Sequence, residues 1–148
     1  MNCLLRIHVK ATTDTTEQTE LLVRGICRRL ETEDGVGYRF DYRSVDAEDP
    51  AAVTREQITV TPAGAKLIRT GSIQSVMEIV PGELRKCDYG TPFGTLVFDI
   101  LGIGVNISSD PQNTAVSFSY ELQHDGEMIS SHEVEIAVEH TEECKLKK

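Results

Sequence analysis

Residues 116–139 read VSFSYELQHDGEMISSHEVEIAVE, and this stretch decides the fold. Val116, Phe118, Tyr120 and Leu122 alternate with Ser117, Ser119 and Glu121; further on, Val134, Ile136 and Val138 share one phase while Glu133, Glu135 and Glu139 share the other. A period of two sends successive side chains to opposite faces of an extended chain, so each run is a strand with one apolar and one wet face. Between the runs stand His124, Asp125, Gly126 and Glu127, and the Asp-Gly pair accepts the positive φ angles of a tight turn. The stretch is therefore a β-hairpin with one face buried.

The same pattern extends upstream. Leu5, Ile7 and Val9 alternate with Arg6, His8 and Lys10, and a Thr-rich segment, residues 12–19, follows. Residues 20–30 are ambiguous: Leu22, Ile26 and Leu30 fit a helical stripe, Leu21, Val23 and Cys27 a strand face. Gly25 favours the strand, because a mid-helix glycine costs about 1 kcal/mol, and Asp34-Gly35 then leads into Tyr38, Phe40 and Tyr42. An acidic, Pro-containing loop, residues 46–52, comes next. Beyond it the sequence predicts a strand around Ile58 and Val60, a Pro62-Ala63-Gly64 turn, a strand over 66–70, a Gly71 turn, and a strand carrying Ile73, Met77 and Ile79 that Pro81-Gly82 ends. Further strands are expected over 84–89, 96–101 and 103–108, with Asp110-Pro111 closing the last.

About nine or ten short strands with regular turns and no convincing helix mean a sandwich or a barrel. Short consecutive hairpins favour an up-and-down order, which removes exposed edges by closing. The expected class is all-β: an antiparallel, mostly up-and-down barrel of about 8–10 strands, residues 1–148 forming one domain.

A chain of 148 residues is long enough for a real core, and with no Trp, four Phe and four Tyr that core is mostly aliphatic. Asp and Glu total 24 against 15 Lys and Arg, giving a formal charge of −9. That charge repels phosphate backbones and anionic lipid, and along the sequence the bases do not cluster, so nucleic-acid and membrane partners are not expected. Cys3, Cys27, Cys87 and Cys144 are irregularly spaced without CxxC or nearby histidine, which reads as reduced thiols packed as small hydrophobes in a cytoplasmic protein. No metal, cofactor, secretory core or membrane span is signalled. Asn106-Ile107-Ser108 matches a glycosylation pattern, by chance in a strand.

Three motifs carry a resemblance: Arg69-Thr70-Gly71, Pro81-Gly82-Glu83, and Tyr89-Gly90-Thr91-Pro92-Phe93-Gly94. In order and spacing the chain resembles the bacterial YwiB-like family of calycin-like β-barrel proteins, whose function is not established. The likeness runs from about residue 4 to 138, departing at the acidic segment 46–52 and at the apolar Leu101-Gly102-Ile103-Gly104-Val105 stretch. It implies a lipocalin-like or streptavidin-like barrel with an interior cavity, and no reaction.

Arg69 is the charged residue of most interest. A two-residue turn at Gly71-Ser72 sets it beside Gln74 on the outer face, whereas a three-residue loop with a bulge sets it across from Ile73, inside. An inward arginine needs company, from Glu78, Glu83 or a bound anion. Tyr89 and Thr91 offer hydroxyls on a stiff turn; on a simpler reading Gly90, Pro92 and Gly94 only shape the turn while Phe93 plugs the barrel end.

Catalytic signals are weak. His8, His124, His132 and His140 are scattered, Ser131-His132-Glu133 cannot form a triad because strand neighbours diverge, and Gly102-x-Gly104 lacks a third glycine and a helix. The leading expectation is a small-molecule binding module, for an anionic or amphipathic ligand, using Arg69, Tyr89, Thr91 and Glu78. The competing reading is a protein-interaction module with a filled barrel, acting through an edge strand or the Glu133, Glu135 and Glu139 face. Enzymatic activity is the least favoured.

Overall fold

The alternation is realised as ten antiparallel strands in a computed structural model that describes residues 2–46, 48–109 and 113–139. In chain order they are β1 (Asn2–Thr12), β2 (Thr16–Thr32), β3 (Gly35–Val45), β4 (Val53–Thr61), β5 (Gly64–Gly71), β6 (Gln74–Ile79), β7 (Leu84–Thr91), β8 (Gly94–Ser109), β9 (Thr114–His124) and β10 (Glu127–Glu139). Each pairs with the next, and β1 pairs with β10 through Leu5–Val138, Ile7–Ile136 and Val9–Val134, so the sheet closes into a barrel. Closure pairs the edges that an open sheet leaves bare. Among the described residues there is no helix, and so none long and apolar enough to cross a membrane. The Asp110-Pro111 stop, His140, Cys144 and the terminal lysines lie outside the described residues.

Alternate residues of every strand point inward. Leu5, Phe40, Val60, Ile79, Ile100 and Ile136 are completely covered, and Val116 and Phe118 nearly so. The ambiguous segment 20–30 is strand, the middle of β2, with Cys27 buried inside. The Asp125-Gly126 turn takes the expected left-handed geometry, φ 52° and 82°. Phe93 corrects the sequence reading: it plugs nothing and is 100% exposed. It sits in the turn between Thr91 and Gly94, the last paired residues of the hairpin, where no wall is left to pack against.

Segments 96–101 and 103–108, expected as two strands, are the single strand β8 with a bulge. On the ladder to β9, Gly102 faces Tyr120 and Gly104 faces Ser119, leaving Ile103 as the extra residue. One extra residue exchanges the two faces of a strand. Ile100 and Gly102 before it, and Val105 and Ile107 after it, therefore all join the core. Gly102 is required for a second reason, since a Cβ there would stand 2.2 Å from the carbonyl oxygen of Val80. The loop after β6 docks on this bare backbone: Gly82 N–H donates to the Gly102 carbonyl (2.9 Å) and Gly102 N–H donates to that of Glu83 (3.1 Å). These bonds support the weakest seam of the barrel, because β6 and β7 pair only at Gln74–Gly90 and Ser75–Tyr89.

Candidate functional site

At the barrel end formed by the β5–β6, β7–β8 and β9–β10 turns the interior becomes polar. Arg69 is in phase with the buried Ala65 and Leu67 of β5, facing Glu56 on β4 and Ser75 on β6. The inward alternative is thus the one realised, although Arg69 faces Ser75 and not Ile73. Its Nε donates to Glu56 Oε1 at 2.8 Å, with the two side chains 24% and 12% exposed. Glu78 and Glu83, the carboxylates expected beside Arg69, instead hold Arg85 at 3.3 and 2.9 Å in a solvent-exposed cluster. Glu78 follows Met77 and so takes the outer face by strand alternation.

Tyr42, Tyr89, Tyr120, Cys87 and His132 all lie within the electrostatic reach of Arg69 or its partner Glu56. Burial pushes the hydroxyls of Tyr42 and Tyr120 above the usual phenol range, the Glu56 carboxylate adds to the effect on Tyr42, and Arg69 opposes it at both. Burial likewise raises the Cys87 thiol. At His132 burial and the Arg69 charge act together to depress the pKa, which favours the neutral imidazole. For Arg69 itself, burial pulls downward but the bond and charge of Glu56 outweigh it, so the guanidinium is held firmly charged. The His132 ring stacks on Tyr120, centroids 4.9 Å apart and planes 9° off parallel, and its Nε2 shares a 2.8 Å hydrogen bond with Ser130 Oγ. Ser75 Oγ is buried and has no hydrogen-bond partner among the described residues.

This end is also open. Leu21, opposite the buried Ile7, and Leu96, opposite Tyr89, belong by register to the inward set, yet they are 42% and 54% exposed. These two apolar side chains, inward by phase and still wet, stand at the same end as the charged and phenolic groups around Arg69.

Of the four residues singled out from sequence, the fold brings Arg69 and Tyr89 together here. Thr91 is occupied by its own turn, its hydroxyl donating to the Gly94 carbonyl (2.9 Å) and accepting from Phe93 N–H (3.2 Å). Glu78 lies elsewhere. Sequence reasoning missed Glu56, Tyr42, Tyr120, His132 and Ser75, although strand phase marks them: Glu56 keeps step with Ile58 and Val60, Tyr120 with Phe118, and His132 with Val134. Ser131 and Glu133 take the opposite face from His132, as alternation requires. Among the described residues no group of three His, Cys, Asp or Glu side chains forms a metal site, and Cys3, Cys27 and Cys87 are buried and form no disulfide.

A closed ten-stranded antiparallel barrel with a polar, partly open end defines a calycin-like protein. Within that class the chain belongs to the family described as a domain of unknown function (DUF1934), which matches residues 6–136. The crystal structure of the ywiB protein from Bacillus subtilis is similar, with a TM-score of 0.73 at 17% identity over 95% of this chain and 93% of that one. That likeness is one of fold, and it bears out the resemblance carried by the three motifs. No curated protein matches the chain.

Proposed function

We propose that this protein is a cytoplasmic binding module that takes the anionic head of a small amphipathic molecule into the open barrel end. The observation that carries the reading is the inward Arg69 guanidinium, bonded to Glu56 through Nε. Among the described residues its terminal nitrogens make no hydrogen bond, and they remain free to form a bidentate contact with a carboxylate. An ion pair inside a barrel is a poor device for stability, since its desolvation offsets most of its attraction. Maintaining one beside three tyrosines and an unpartnered serine hydroxyl favours binding as its purpose. Tyr89 orients the head, and Leu96 and Leu21 receive the apolar portion. Buried thiols without a disulfide among the described residues support the cytoplasmic location.

In the competing interaction module, an edge-strand version would use the β6–β7 seam, where only Gln74–Gly90 and Ser75–Tyr89 pair. Its acidic-face version rests on Glu133 and Glu135, exposed on the outer wall.

Titration with medium-chain carboxylates, followed by thermal shift and by the ring signals of Tyr89 and Tyr120, tests the proposal. Binding is expected in the native protein and is expected to vanish in the paired variant Arg69→Met, Glu56→Leu, which leaves no orphan charge. Unmoved tyrosine signals across the series overturn the reading.

A further inference from the structure

The bases that look dispersed along the sequence are gathered by the sheet on one outer wall. Arg28 stands directly opposite Arg39 across β2 and β3, and Arg43 directly opposite Arg55 across β3 and β4. Arg24, one rung beyond the Ile26–Asp41 pair, extends the second row. Like charges facing each other across a ladder destabilise a sheet. Among the described residues neither Arg43 nor Arg55 forms an ion pair or a side-chain hydrogen bond. In a chain of formal charge −9 carboxylates are abundant, but the two in the same groove, Asp41 and Glu56, are engaged by Arg39 and Arg69.

This wall is concave. Arg24, Arg39, Arg43 and Arg55 border a groove of about 950 Å³, large enough for a small organic ligand. The adjoining row of the groove is different in kind: Ile26 and Ile68 offer apolar surface, while Asp41 and Gln57 offer hydrogen-bonding groups. Asp41 is already fixed, accepting from Arg39 Nε (3.1 Å) and Gln57 Nε2 (3.3 Å).

We infer that this groove binds a small phosphorylated molecule of nucleotide size, its phosphates on Arg24, Arg43 and Arg55 and its organic part over Ile26 and Ile68. Guanidinium forks from adjacent strands match the several oxygens of a phosphoryl group better than they match a single carboxylate. Asp41 in the middle of the groove, together with the overall negative charge, disfavours a continuous nucleic-acid backbone. The groove adjoins the lumen site, with Tyr42 and Glu56 lining it as well, but its arginines are different ones, and the inference does not rest on the function proposed above.

The test is calorimetric titration of the full chain with ADP, inorganic phosphate, citrate and a short single-stranded oligonucleotide at about 0.1 M salt, where screening is moderate. ADP is expected to bind and to raise the melting temperature, more tightly than phosphate or citrate. The variant Arg43→Gln, Arg55→Gln is expected to weaken ADP by at least about tenfold, or 1.4 kcal/mol, while melting at the same or a higher temperature because two opposed charges are gone. Lys86→Gln on the far wall, and Tyr89→Phe in the lumen, are expected to leave ADP binding unchanged. Should the double glutamine variant fail to fold, Arg43→Lys replaces it, keeping the charge but losing the fork, and weaker ADP binding is again expected. The inference is overturned if ADP does not bind, if the groove variants bind it like the native chain, if the lumen variant abolishes it, or if citrate or the oligonucleotide binds as tightly.

Discussion

Arg69 and Glu56 illustrate how a charge survives inside an aliphatic barrel: each is tolerable only while the other is present. Removing one partner of a buried pair leaves a stranded charge and commonly costs about 3–5 kcal/mol, whereas replacing both by apolar residues is often neutral. With the guanidinium still 24% exposed, Arg69→Met is expected to fall at the lower end of that range. The double replacement Arg69→Met, Glu56→Leu is expected to recover most of the loss in denaturant titrations. A pair whose single and double variants are equally unstable contradicts this account.

His132 adds a pH dependence at the same scale. Its pKa in the folded state is depressed by burial and by Arg69, below the usual value of about 6.5. The unfolded chain then binds more protons, so the contribution of this residue is fully present above about pH 6.5 and is lost as the pH falls through the folded value. Melting temperatures from pH 7.5 down to 5 are expected to decline, and less steeply in His132→Gln. Parallel declines in the two proteins exclude His132 as the cause.

Among the elements, β8 depends on a single missing side chain. Gly102→Ala is expected to destabilise by more than about 2 kcal/mol, the range of steric clashes with backbone, since the Val80 carbonyl occupies the site of the new Cβ. Chemical denaturation measures the effect, and loss of the Gly82 and Glu83 bonds to β8 is expected to accompany it in amide exchange. Phe93→Ser on the β7–β8 turn is the contrasting case. A fully exposed ring contributes little, and stability is expected to change by less than about 0.5 kcal/mol. From sequence, Phe93 reads as a plug and residues 96–101 and 103–108 as two strands; the ladders reverse both readings. Nothing local distinguishes a plug from an overhanging tip, or separate strands from one bulged strand, until the partner strand fixes where pairing stops.

For the whole barrel, stability is unevenly distributed around the circumference. β1 is paired along its length to both β2 and β10, whereas β6 and β7 share two residue pairs. Backbone groups with few ladder partners open most readily. Hydrogen exchange is expected to be fastest for the β7 amides that face β6 and slowest in β1 and β10; uniform protection around the barrel contradicts that ranking.

Charge is unevenly distributed too. Arginines share the wall of β2–β4, and Glu133 and Glu135 mark the wall of β10 on the other side of β1. Read along the chain, the bases are scattered, and the expectation of no nucleic-acid or membrane partner followed from that scatter.

The period-two alternation by itself determined most of the strands and their turns, because alternation is a local property of extended backbone. Phase also marks Glu56, Tyr120 and His132 as inward, whereas the face of Arg69 was decided only by the register of β5 with β4 and β6. Which of these groups meet was decided only by closure. Arg69 on β5 reaches Tyr120 on β9 across the lumen, and Arg24, Arg43 and Arg55 become neighbours through strand registers. Those juxtapositions join residues distant in sequence, and a pattern with a repeat of two residues carries no information about them.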